Sequence, residues 1–222
     1  MQALTFKNMN YLLKLPSDYR EGERYPVLLF LHGAGTRGND IELLKSNPFF
    51  IEIEKHESFP FVIVAPQCHL NSWFDLFEHL RDLVAEIYNS PYTDRERIYL
   101  MGNSMGGYGT WQLAMSLPNV FAAAVPICGG GMYWNARRLA DLPVWAFHGE
   151  KDTEVLPEES KKMVEAVRRS NGEARLTLYA ENGHDAWTDT YRNKEVFDWL
   201  LSHRRLSAND GTDPFYDSRI YE

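Results

Sequence analysis

Cysteine is nearly absent from this chain: Cys68 and Cys128 are the only two in 222 residues. Nothing in their spacing asks for a bridge, and we read both as reduced thiols. No CxxC pair and no Cys/His cluster has zinc spacing, so no metal and no cofactor is expected. No apolar run reaches the ~18 residues that a membrane-spanning helix needs. Positive charge is in deficit, with 23 Lys and Arg against 31 Asp and Glu and a net charge of −8. That balance excludes the clustered cationic surface required by nucleic-acid phosphates. It also disfavours anionic membrane surfaces. The opening residues, Met-Gln-Ala-Leu-Thr-Phe-Lys-Asn, lack a basic stretch followed by an apolar core, and a cytoplasmic location is expected. Neither an internal repeat nor an interdomain linker is visible.

What the chain does have is apolar substance, 44% of its residues. A chain of this length buries roughly 70% of its unfolded surface without disulfides or metals. Five short apolar runs end at Gly or Pro turns, Val27 to Leu31, Phe61 to Ala65, Ile98 to Met101, Phe121 to Val125 and Val144 to Phe147, and a sixth, Leu176 to Tyr179, follows. Runs that are apolar on both faces predict buried strands of a parallel sheet. Tyr11 to Leu15 predicts an antiparallel edge strand. Helical patterns lie between them, at Leu76 to Tyr88, Ser104 to Leu117, Pro157 to Ser170 and Thr188 to His203. This alternation predicts an α/β fold, a mostly parallel central sheet flanked by helices. One domain is expected over residues 1–205, with a polar, turn-rich tail over 206–222.

Gly102-Asn103-Ser104-Met105-Gly106 has the form G-x-S-x-G, and it sits between the run Ile98 to Met101 and a helical segment. A strand–turn–helix setting is what this motif requires. The tight turn strains the serine, and flanking glycines remove side chains that would clash. A serine hydroxyl needs a base, and the base needs an acid to orient it. On such a sheet the expected chain order is Ser, acid, His, each after a later strand. Asp152, in His-Gly-Glu-Lys-Asp, follows the run Val144 to Phe147. His184, in Glu-Asn-Gly-His-Asp, follows Leu176 to Tyr179. Glu150 and Glu154 rival Asp152 as the acid. His32, His56, His69, His79, His148 and His203 rival His184 as the base; of these, His56 and His79 read as solvated or packing residues, His148 is expected to support the acid loop and His203 to suit a helix end. His32-Gly33-Ala34-Gly35 follows Val27 to Leu31, where a second oxyanion donor is supplied, so Ala34 and Met105 are the expected amide donors.

The ordered motifs HGAG, GNSMGG, HGEKD and NGHDAW resemble the α/β-hydrolase superfamily from about Tyr11 to His203. Within it the chain resembles compact bacterial phospholipase/carboxylesterase-like enzymes, and it is similar to feruloyl and acetylxylan esterase-like domains. This resemblance implies a Ser104–His184–Asp152 triad, no cofactor, and hydrolysis of small-molecule carboxylic esters. Dienelactone hydrolases are similar in fold, but their nucleophile is a cysteine, and Ser104 argues against that chemistry. A serine peptidase of the same fold is the alternative activity. The segment between the runs ending at Val125 and beginning at Val144 is too short for a cap domain, which implies an open cleft. Trp73 and Trp187 are the expected substrate contacts, because aromatic walls stack on sugars or phenolic rings.

Overall fold

A computed structural model describes residues 1–205 and 213–215. Eight strands form one sheet: β1 (Gln2–Phe6), β2 (Met9–Lys14), β3 (Tyr25–Leu31), β4 (Val62–Pro66), β5 (Thr93–Asn103), β6 (Ala123–Ile127), β7 (Val144–Gly149) and β8 (Ala174–Tyr179). Their spatial order is β1-β2-β4-β3-β5-β6-β7-β8. The pairs β1·β2 and β2·β4 are antiparallel, and all others are parallel. β4 lies on one side of β3 and β5 on the other. The order therefore reverses at β3/β5, and sheets of this kind place ligands outside the strand ends at such a point. The segments after β3 and β5 are the ones that carry His32-Gly33 and Ser104.

Period-two alternation divides each central strand between two cores. Val27, Leu29 and Leu31 join one cluster, with Leu80 and Leu83 of α3 (Phe77–Asn89), Trp111 and Leu113 of α4 (Met105–Ser116), and Met163 and Val167 of α5 (Glu158–Arg169). Leu28 and Phe30 join the other. There they meet Leu44 of α1 (Ile41–Lys45), Phe49 and Ile53 of α2 (Pro48–Ile53), Tyr191 of α6 (Trp187–Arg192) and Phe197 of α7 (Lys194–Ser202). Residues with alternate parity in one strand are thus both buried, which is why these strands read as unbroken apolar runs.

Several boundaries differ from expectation, each for a local reason. The Thr188 to His203 pattern is two helices, because the Asn193 side chain accepts from the Glu195 amide and caps α7. The run expected at Phe121 to Val125 is realised two residues later, with Pro126 paired opposite Gly102 inside the strand. β1, α1 and α2 were not anticipated. β1 is exposed along most of its length and joins β2 through Lys7 and Asn8, both at positive φ (45° and 67°). Two successive left-handed residues make the hairpin turn whose twist matches the flanking strands. From Cys128 to Pro143 the chain carries a single 3-10 segment, Tyr133–Leu139, and no cap. Of the tail expected over 206–222, only 213–215 are described, with the Phe215 ring 5.5 Å from that of Tyr88; the remainder lies outside the described residues.

Candidate active site

Ser104 stands between the end of β5 and the start of α4 with φ 54° and ψ −117°. A non-glycine residue at positive φ is strained and persists only when its surroundings over-determine it. Here the Ser104 amide donates to the Ile127 carbonyl (2.8 Å), which ties the turn to the end of β6. A Cβ on Gly106 would collide with the Leu31 carbonyl oxygen, so only glycine lets α4 start this close to β3. The serine is thereby lifted to the strand ends, its hydroxyl half-buried.

Asp152 follows β7 and His184 follows β8, and the fold brings both to the serine. Ser104 Oγ lies 2.8 Å from His184 Nε2. His184 Nδ1 lies 2.7 Å from Asp152 Oδ2. The carboxylate holds the Nδ1 proton, so Nε2 presents its lone pair to the hydroxyl. Asp152 Oδ1 accepts from the amides of Glu154 (2.9 Å) and Val155 (3.0 Å). Burial pushes the Asp152 carboxyl up, but the His184 bond and these two amides outweigh it and hold the group below the ordinary carboxylate range. Neither rival takes this place. Glu150 is exposed, and Glu154 is an exposed side chain on the cleft wall, its Oε2 3.9 Å from His184 Nε2.

Four of the other histidines are occupied elsewhere. His148 is fully buried beneath the acid loop, with Nε2 2.8 Å from the Val155 carbonyl and 3.2 Å from Asp152 Oδ2. Its Nδ1 is 2.7 Å from the Ser160 hydroxyl, which in turn donates to the Gly129 carbonyl (3.0 Å). His32 donates from Nδ1 to the Gly33 carbonyl (2.7 Å) and accepts the Cys68 amide on Nε2 (2.9 Å). Burial lowers its pKa to about 4. His56 Nε2 meets the Tyr191 carbonyl at 2.8 Å, and His203 caps the end of α7.

Ala34 opens a short 3-10 turn and Met105 opens α4. Amides at helix starts have no acceptor within the helix. Neither of these two donates to another backbone group among the described residues. Both therefore retain a free N–H beside the serine turn.

A cleft of about 460 Å³ opens above the serine, lined by Ser104, His184, Trp187, Glu154, Asn47 and Pro48 among others. Trp187 stands on it, with its ring perpendicular to that of His184 and 5.1 Å away. Trp73 does not, which corrects the expectation that it contacts substrate. It is buried, donates Nε1–H to the His32 carbonyl (2.9 Å), and packs its ring against that of His32. An indole whose N–H has a buried partner is a core residue. Asn47 and Pro48 were missed as cleft residues, although Asn-Pro is a helix-start signature, with Asn47 capping the Phe49 amide. Tyr133 and Trp134 are exposed and lie outside the cleft lining.

The fold and the strand-end geometry define an α/β hydrolase. A solved structure described as a thermostable esterase superposes with a TM-score of 0.79 at 33% identity, covering 92% of this chain and 63% of that one. The chain belongs to the dienelactone hydrolase family, whose model matches residues 70–200, more than half of its length. That match spans the serine turn, so Ser104 occupies the elbow of a chain within the family whose chemistry its sequence set aside. Among curated proteins, the chain is 26% identical to a bifunctional acetylxylan esterase/xylanase of Neocallimastix patriciarum, over 57% of this chain and 19% of that protein. It is 21% identical to dipeptidyl-peptidase 5 of Porphyromonas gingivalis, over 87% of this chain and 36% of the peptidase. The chain thus spans about a third of that peptidase and a fifth of the xylanase.

Proposed function

We propose that the protein is a serine carboxylesterase that hydrolyses short-chain or aryl carboxylic esters, carbohydrate-linked esters among them, through an acyl-enzyme. The observation that carries this reading is the hydrogen-bonded line Ser104–His184–Asp152 beneath an open cleft. Ser104 Oγ attacks the ester carbonyl while His184 Nε2 takes its proton. Asp152 keeps the imidazole in the required tautomer and stabilises the charge it acquires. The free amides of Ala34 and Met105 receive the developing oxyanion, and one such donor supplies about 3 kcal/mol. His184 then protonates the leaving alcohol and activates water for deacylation. Trp187 offers a flat wall to an aryl acid or a sugar ring. Likeness to an acetylxylan esterase supports the carbohydrate-linked class.

The test is Ser104→Ala assayed on p-nitrophenyl acetate. The expected loss of turnover is at least about 10⁴-fold with an unchanged circular dichroism spectrum. Turnover equal to the parent overturns the reading. The likeness to a dipeptidyl-peptidase favours a second reading, amide hydrolysis by the same groups. Aminoacyl p-nitroanilides compared with p-nitrophenyl esters separate the two, and turnover of the anilides alone would replace the esterase reading.

A further inference from the structure

The acid–base pair has a soft neighbour for which ester hydrolysis has no use. Cys128 follows β6 with φ 48°, fully buried, its thiol donating to the His184 carbonyl (3.1 Å). One ligand atom from each of Cys128, Asp152 and His184 can be chosen so that all three lie within 4.8 Å of one another. A thiol, an imidazole and a carboxylate are ligand types of zinc.

We propose that Cys128, Asp152 and His184 form an inhibitory site for a thiophilic divalent cation, zinc or cadmium. Its effect on activity rests on the esterase reading; its binding does not. Tetrahedral coordination at metal distances of ~2.1 Å to N and O and ~2.3 Å to S sets ligand atoms roughly 3.4–3.6 Å apart. The 2.7 Å contact between His184 Nδ1 and Asp152 Oδ2 has to open by less than about 1 Å. Asp152 is already held by the amides of Glu154 and Val155 and by His148, the outer partners that orient a ligating carboxylate. Calcium and magnesium, which take six or more oxygens, do not fit this set. Sulfur is the soft donor of the set, so the site favours a cation that bonds thiolate strongly.

The proton balance explains the inhibition. The Cys128 S–H bond breaks, its proton leaves to solvent, and a sulfur–metal bond forms. His184 binds the cation through Nδ1, and the proton from that nitrogen is re-placed on Nε2. One proton is released per cation, and no electron moves. Nε2 now donates where it had accepted, so the Ser104 hydroxyl has lost its base.

The test titrates the whole chain with cadmium. It follows the ultraviolet cadmium–thiolate absorption and, in parallel, the p-nitrophenyl acetate rate as a ratio to each protein's own metal-free rate. The expected result is one cadmium per chain, with inhibition reversed by EDTA. Ser104→Ala keeps the absorption, because all three ligands remain. Cys128→Ser removes it and raises the half-inhibitory cadmium concentration by more than about tenfold. His184→Ala, which keeps both thiols, weakens cadmium binding by a similar factor. Cys68→Ser changes neither readout. Absorption that survives in Cys128→Ser, disappears in Cys68→Ser, or is absent from the parent overturns the site. Cadmium absorption in a parent without esterase activity supports the site and overturns the esterase reading, so the two failures are distinguishable.

Discussion

The dipeptide His-Gly occurs at the ends of two parallel strands, His32-Gly33 after β3 and His148-Gly149 at the end of β7, and the two histidines have opposite surroundings. Both rings are fully buried and both hold a loop of the site. His32 has only neutral partners, the Gly33 carbonyl and the Cys68 amide, and burial lowers its pKa to about 4. His148 touches the Asp152 carboxylate itself. Each glycine is fitted to a different neighbour. A Cβ on Gly33 would come within 2.9 Å of the Asn103 amide nitrogen, a side-chain atom. One on Gly149 would collide with the carbonyls of Asn182 and Gly183, the backbone leading to His184. The same two residues thus hold the turn at Ala34 as a neutral strut on one side, and admit the His184 loop to the Asp152 loop on the other. The role of a strand-end histidine is decided by what the neighbouring strands bring to it.

Four substitutions sharpen that contrast, in order of expected effect. For His32 the sign follows from its lowered pKa: the unfolded chain binds the extra proton first, so stability falls as pH drops from 6.5 towards about 4. A shift of that size corresponds to about 3 kcal/mol. His32→Gln is therefore expected to lose about 3 kcal/mol less than the parent between pH 7 and pH 4. Urea unfolding at the two pH values measures it, and equal acid losses would contradict a neutral strut. Gly149→Ala pushes the base loop away from Asp152, and kcat/KM is expected to fall on the order of 10²-fold. Ester kinetics with the circular dichroism spectrum as control decide this. His148→Gln disturbs the carboxylate without reaching substrate, so kcat falls roughly tenfold while KM stays; a change confined to KM would place His148 differently. Trp73→Phe removes the hydrogen bond to the His32 carbonyl, and about 1 kcal/mol of stability with it. Its ester KM stays at the parent value, because the indole does not line the cleft.

Much of this was legible in the chain, and the rest was hidden for identifiable reasons. The central strands β3, β4 and β7 announced themselves because both faces are buried. β1 did not, because four of its five residues are exposed and Phe6 alone packs against the core. The break at Asn193 was concealed by apolar spacing that continues across it, although Asn with an acidic residue, Glu195, in the turn that follows is a helix-start signal. Trp73 and Trp187 are alike in sequence, each near a strand end and each beside polar residues. Burial against His32 made one a core residue, and position at the start of α6 put the other on the cleft.

By itself the sequence determined the alternation of strand and helix, the strained serine turn, and the chain order of serine, acid and histidine. These are local properties, written in hydrophobic period and in glycine placement. Only the tertiary structure decided which carboxylate meets His184, which tryptophan faces the cleft, and that Cys128 stands beside the acid–base pair. Those are distances between residues far apart in the chain, from 24 residues between Cys128 and Asp152 to 80 between Ser104 and His184. They are set by how the sheet orders its strands, a quantity that no local pattern encodes.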